Sequence, residues 1–378
     1  MYGQTPAIQK TRRYLPVVAM LMAAALALQA PASGAARRMP DESAPHDATW
    51  LQWPHHHTYG KAYRDALEPT WVAMTAALVE SERVYVIAYN RGHQRRIEKT
   101  LRAAGVDLAH VHLLRRKTDD TWIRDNGPIF VHDADGGLRI TDWGFNGWGL
   151  DAPYRHDDRV PTAVARALRL PRTRLDGLVL EGGAIEVDGR GTLMATRSSI
   201  LEPDRNPGLT QADVEKVLAR HLGIERFIWL DGAPGGEFDI TDNHIDGFAR
   251  FADPRTIVTM KRRDLRYWAL SDEDVDTLYA ARDAAGRPYA FVHLPLTRRN
   301  VVTTYGRDLG TKGSYVNFYT ANTVVLVPAY GDPNDEVAQE ILQKVYPDRA
   351  IVGIDVRNLY REGGMVHCVT QQQPAPPR

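Results

Sequence analysis

Apolar positions along this chain fall into short strand-like runs that come in pairs. Each pair is followed by a stretch of helical spacing and then by another short apolar run. The first complete set begins at WIRDNGPIFV (122–131), turns at Asp135-Gly136-Gly137 and returns as LRITDW, with a helix predicted over 161–169 and a strand at LVL, 178–180. GGAIEVDGRGTLMAT opens the second set, with Asp188-Gly189 as its hairpin signal. The helix behind it has Thr210 as N-cap, acidic Asp213 in the first turn and Gly223 as its stop before the strand RFIWL. The third set is HIDGFARFADPRTIVTM, a helix near 272–284 and the strand YAFVHL. YVNFYTANTVVLVPAY, turning at Ala321-Asn322, then the helix DEVAQEILQKVY and the strand AIVGIDV make the fourth.

A fifth set is divided between the chain ends. ATWLQWP near the start is followed by a predicted helix at about 69–82 and by VYVIAY, while GGMVHCVTQ arrives late with no hairpin partner after it. Joining these ends closes a ring. The predicted fold is therefore α+β, a five-bladed α/β propeller of strand-strand-helix-strand modules that leaves no sheet with a long open edge. No low-complexity linker follows residue 45, which predicts one domain over 37–378, and the tail QQQPAPPR is expected to fray.

Composition narrows the function classes. The 378 residues carry 47 Lys+Arg against 47 Asp+Glu, and a chain without net charge is not built to coat nucleic acid or anionic lipid. A single cysteine excludes an internal disulfide framework and a cysteine-rich metal cluster. The first 36 residues differ from the rest, with Lys10, Arg12 and Arg13 ahead of a nearly uncharged stretch and then the small-residue run Ala32-Ser33-Gly34-Ala35-Ala36. That is the layout of a signal peptide, 1–36, and it predicts an exported, periplasmic or secreted, protein without stable membrane association after cleavage. A lone thiol in an oxidising compartment either pairs between chains or is kept for its reactivity, which directs attention to Cys368.

Polar or reactive residues stand near the beginning of each predicted hairpin and would point to a common centre if the modules form a ring. They are Asp125, Glu181, His244 with Asp246, Asn317 and Cys368. In an extended HID segment, His244 and Asp246 share one face. His367 and Cys368, if extended, point to opposite faces, which makes His244 the better partner for the thiol. Gly182-Gly183 and Gly363-Gly364 fit either a hairpin turn or close approach to a ligand. The run His55-His56-His57 cannot converge on a metal from one extended segment, and no phosphate loop or dinucleotide fingerprint is present, so neither metal nor cofactor is expected.

Taken together, TWLQWPH, TWIRDNGP, DWGFNGWG, LEGGAIEVDGRGTLMATRSSIL with RNPGLT behind it, DITDNHID, SYVNFYTANTVVLVPAYGDPNDEVA and GGMVHCVTQQQP resemble the agmatine deiminase and bacterial-type peptidylarginine deiminase family, in order and over almost the whole chain. The resemblance implies the five-bladed propeller of the guanidine-modifying enzymes. It also implies Cys368 as nucleophile, His244 as general acid and base, Glu181 as the carboxylate beside the histidine, and Asp125 and Asp246 as the pair that grips a guanidinium. Trp122, Trp148 and Asn317 complete the expected substrate-binding set. These residue types suit the chemistry, because carboxylates accept the in-plane N–H donors of a guanidinium and a thiolate attacks its carbon.

Where an arginine is expected the sequence has Gly144, and Ile240, Asn243 and Met365 also depart from the family blocks. These changes bear on the far end of the substrate. No basic residue stands between Asp142 and Gly149, which favours agmatine over free or peptidyl arginine, whereas Arg298, Arg299, Arg307 and Lys312 could supply a carboxylate clamp. An amidinotransferase or cysteine amidohydrolase using the same residues, and a non-catalytic exported protein that binds cations, are the alternatives.

Overall fold

Hairpins form where the sequence has its turn residues, and each then receives a parallel third strand by way of a helix. In the computed structural model, which describes residues 37–233 and 239–377, five small sheets are present among the described residues. Four have three strands each. They are Ile129–His132 with Leu138–Gly144 and Arg172–Val179, Ile185–Val187 with Thr192–Thr196 and Arg226–Leu230, Ala249–Asp253 with Thr256–Met260 and Ala290–Leu294, and Tyr319–Thr320 with Val324–Ala329 and Ala350–Asp355. In each, the first two strands are antiparallel and the last two parallel. The fifth sheet is built from both ends of the chain, as the sequence pattern predicts. Thr370–Pro374 pairs antiparallel with His46–Gln52, which runs parallel to Arg83–Ala88, and Val111–Arg115 completes it.

The helix Gln211–Leu222 shows the local logic well. Thr210 and Asp213 form a reciprocal capping box, and Gly223 ends the helix in the left-handed region at φ 74°.

Several sequence expectations are corrected. The helix expected from about residue 69 begins at Gly60 and carries Pro69 in its interior, where Leu67, Trp71, Met74 and Leu78 make a buried stripe that offsets the lost backbone hydrogen bond. The strand expected at 178–180 spans Arg172–Val179, and its arginines are accommodated because Arg172 and Arg174 pair with buried Asp142 across the sheet. The helix expected to reach 284 stops at Tyr279, since Asp283 and Arg287 tie the following residues into a turn. QQQP at the chain end is a buried strand, held by sheet pairing and by Gln373, which accepts from the Trp50 indole. The signal peptide expected over 1–36 lies outside the described residues, and no helix among the described residues is long and apolar enough to cross a membrane.

One recurring detail positions the site. Short helical turns at Ile123–Asn126, Gly182–Ala184, Ile245–Gly247 and His367–Val369 each lead into the first strand of a module, and these turns pack against one another. The candidate residues of four modules therefore arrive at one place.

Candidate active site

Cys368 stands at the seam of a two-lobed cavity, with volumes of about 700 and 630 Å³. Tyr59, Tyr63, Asp120, Trp122, Asp125 and Trp148 line the first lobe, and His244, Asp246, Trp268, Asn317 and Met365 line the second. The cysteine reaches this seam because it sits on a tight turn, and not in the extended strand that the sequence predicts. Its thiol is 3.5 Å from Asn317 Oδ1 and 4.0 Å from Asp246 Oδ2. Burial, reinforced by the charges of Asp246 and Asp125, pushes the thiol pKa well above its ordinary value.

His244 is likewise outside a strand, in the approach to the turn Ile245–Gly247, so alternation is not what gathers it with Asp246. Glu181 holds its Nε2 at 2.8 Å, and Asp125 Oδ1 lies 3.7 Å from its Nδ1. Burial opposes a charge on this ring, but Asp125, Glu181 and Asp246 together prevail and raise its pKa to about 9. Asp125 is fixed on both sides, accepting from Gly183 N and from the Trp148 indole, each at 3.0 Å. Burial raises its pKa to about 6, against the pull of His244. Gly183 is required by space, since a Cβ there would lie 2.6 Å from His244 Nδ1 and 2.8 Å from Asp125 Oδ1.

Asp246 behaves differently although it is equally buried. Desolvation works to raise its pKa, yet the His367 Nδ1 contact at 2.7 Å and nearby His244 and Arg250 outweigh it and hold the pKa below the ordinary value. His367 is thus turned from the thiol, and its Nε2 meets Glu42 Oε2 at 2.8 Å. Glu42 also pairs with Arg124 and Arg250 and accepts from Thr320 N. Glu42, Arg124, Arg250 and Arg205 escape sequence reasoning, and His367 is read there only as pointing away from the thiol, because each acts through a partner in another segment of the chain, from 24 residues away for Arg205 and Glu181 to 325 for His367 and Glu42. A signal for Arg205 is nonetheless present in the RNPGLT block.

Asn317 donates to Asp246 O and accepts from His367 N, so its amide braces the cysteine turn. Trp122 lies over Gly364, where a Cβ would meet its ring at 2.2 Å, and its indole donates to Asp120. Trp148 belongs to a left-handed run in which Gly147, Trp148, Gly149 and Leu150 have φ of 72°, 56°, 85° and 76°. Of the four basic residues proposed from sequence as a carboxylate clamp, Arg307 lines the cavity, Arg298 is engaged by Asn334, and Lys312 lies over the Tyr267 ring. Among the described residues no group of three or more His, Cys, Asp or Glu is placed to hold a metal. His55 is buried against Thr118, and His57 stacks on Tyr89 at 3.8 Å.

This arrangement sets a thiol, a histidine whose pKa is raised to about 9, and two fixed carboxylates side by side. Residues 38–374 match the model of the Porphyromonas-type peptidyl-arginine deiminases. The chain is 37% identical to an agmatine deiminase of Stutzerimonas stutzeri over 362 residues, 89% of this chain and 95% of that protein. It is 34% identical to the agmatine deiminase of Pseudomonas aeruginosa, over 90% and 96% of the two chains. Among solved structures it resembles the agmatine deiminase of Enterococcus faecalis, with a TM-score of 0.78, 30% identity and coverage of 89% and 96%. A substrate-bound agmatine deiminase of C. jejuni is similar at a TM-score of 0.78 and 26% identity, over 90% and 97%.

Proposed function

The chain belongs to the Porphyromonas-type peptidyl-arginine deiminase family, and we propose that it is a hydrolase converting agmatine and water to N-carbamoylputrescine and ammonia. The observation that carries this reading is the convergence around Cys368 of Asp125 from one lobe and of Asp246 and His244, backed by Glu181, from the other. Asp125 and Asp246 grip the guanidinium from two lobes and hold its carbon against the sulfur. Those carboxylates oppose a thiolate, and the positive charge of a guanidinium set between them offsets part of their field, so substrate binding lowers the thiol pKa and the thiol proton passes to solvent, His244 being already charged.

Attack by the thiolate makes a carbon–sulfur bond. His244, charged at neutral pH, gives its proton to the departing nitrogen, and ammonia leaves an S-alkylthiouronium on Cys368. The neutral ring then takes a proton from water as the oxygen attacks, and collapse to the ureido carbonyl breaks the carbon–sulfur bond, the departing sulfur taking up the hydroxyl proton to restore the thiol. No cofactor enters any step. Aromatic Trp122 and Trp148 flank the alkyl chain in the first lobe, whose Asp120 and Glu362 give a terminal ammonium acidic surroundings.

We infer further that the five sheets are the blades of a five-bladed α/β propeller, supported by the antiparallel-then-parallel strand order that all five share, the fifth with one strand more, and by the joined chain ends. The mature protein is exported, a reading supported by the layout of residues 1–36. A second substrate reading, peptidyl or free arginine, is favoured by Arg307 at both lobes. Ammonia release measured across agmatine, arginine and peptides with internal or C-terminal arginine tests the choice. The highest kcat/KM is expected for agmatine, and a higher value for C-terminal arginine would give the site to peptides and Arg307 to their carboxylate.

A further inference from the structure

A buried cation beside the site takes no part in the steps above. Arg205 comes from the RNPGLT segment, and its Nε lies 2.9 and 3.1 Å from the two oxygens of Glu181. Its Nη1 donates to Asp242 Oδ2, and its Nη2 to Ile240 O at 3.3 Å. The neighbouring Asn206 anchors this segment by bonds to Val179 N, Val179 O and Ile200 O. Glu181 turns its remaining bond toward His244 Nε2.

The groups on the other side of Arg205 are equally connected to the histidine. Asp242 and Asn243, directly before His244, hold φ of 55° and 69°, a region that residues with a side chain seldom occupy without support. Their carbonyls accept from Ser198 and Thr196. Ile240 and Thr241 form part of the cavity wall. One guanidinium therefore joins the carboxylate behind the histidine to the strained segment in front of it.

We propose that Arg205 is a positioning residue of the deiminase site, locking Glu181 and residues 240–242 in the single geometry that aims His244 at the reacting centre. The inference rests on the deiminase reading of that site. A planar guanidinium donates in fixed directions, and an ammonium in its place cannot serve Glu181, Asp242 and Ile240 O together. His244 faces Asp125, Glu181 and Asp246, and only Glu181 is held by Arg205. Loss of the fork thus slows the two proton transfers through His244 and leaves the grip of Asp125 and Asp246 on the cation in place.

Steady-state ammonia release from agmatine by wild type, Arg205→Lys, Arg205→Gln, Glu181→Gln and the Arg205→Lys/Glu181→Gln double variant tests this. Both Arg205 variants are expected to lose at least about tenfold in kcat with KM within about threefold, and the double variant to be no slower than the worse single, because both changes act through one bond. An Arg205→Lys enzyme within twofold of wild-type kcat, or losses that multiply in the double variant, would overturn the role of Arg205 and leave the activity standing. Failure of both Arg205 variants to fold where Glu181→Gln folds would overturn it in favour of a purely structural part. A wild type that releases no ammonia overturns the deiminase reading, and the inference with it.

Discussion

A carboxylate that grips a cation also burdens the thiol beside it, and Asp125 does both. It is the largest favourable influence on the charge of His244 and one of two carboxylates that hold the Cys368 thiol protonated. Asp125→Asn is therefore expected to have opposite effects on two measurements. The His244 pKa, followed by NMR of the ring protons, should fall from about 9 toward its ordinary value, while alkylation of Cys368 by a neutral reagent near pH 8 should become faster. Turnover should nonetheless drop by roughly 100-fold, about 2.7 kcal/mol of transition-state binding, because the guanidinium loses half its grip. An unchanged His244 titration would show that the two side chains do not sense each other. At this scale the sequence is informative where a residue touches the cavity. Cys368, His244, Asp125 and Asp246 all stand together there with Glu181 directly behind His244, whereas His367 is read only as a direction and its bond to Asp246 is invisible in the sequence.

At the scale of elements, hairpins were legible because Asp135-Gly136-Gly137, Asp188-Gly189 and Ala321-Asn322 carry turn chemistry in the local sequence. The helical turns that bear the reactive residues were not, since a turn of three or four residues is too short to show a period. HID and HC both read as strand, and both are turns. Such packed turns tolerate no added bulk. Gly183→Ala places a methyl group within 2.6 Å of His244 Nδ1 and within 2.8 Å of Asp125 Oδ1, so both side chains must shift. The expected outcome is a loss of at least about 100-fold in kcat/KM with a modest fall in melting temperature, since displacement of about 1 Å at a reacting centre suffices for such a loss. Wild-type kinetics in this variant would mean that the turn has room that its packing denies.

At the scale of the whole molecule, what binds the modules beneath the site is charge as well as apolar packing. Glu42 joins Arg124, Arg250, His367 and Thr320 N, contributions from four separate modules, and these cations hold its carboxyl well below the usual range despite its burial. Glu42→Gln should cost about 3 kcal/mol by leaving buried charges uncompensated. A carboxylate with a depressed native pKa contributes its stability above its ordinary pKa and loses it as pH falls through the native one. The deficit of Glu42→Gln in denaturant melts should accordingly be largest near neutrality and shrink in acid. The hairpin-then-strand grouping of the four three-stranded sheets and the pairing of the chain ends are readable in the sequence, whereas Val111–Arg115 in the fifth sheet and this hub are not, the hub because its members are scattered along the chain and carry no shared motif. In the mechanism proposed above, Cys368 carries the substrate's amidine carbon between the two halves of one reaction, and the decisive measurement is the intact mass of enzyme rapidly quenched during incubation with agmatine. The prediction is a mass increase equal to agmatine less ammonia, mapped to the peptide holding Cys368 and absent from Cys368→Ser. An enzyme that turns agmatine over with no adduct on that peptide when product release of the second half is slowed, or an adduct on another residue, would contradict it.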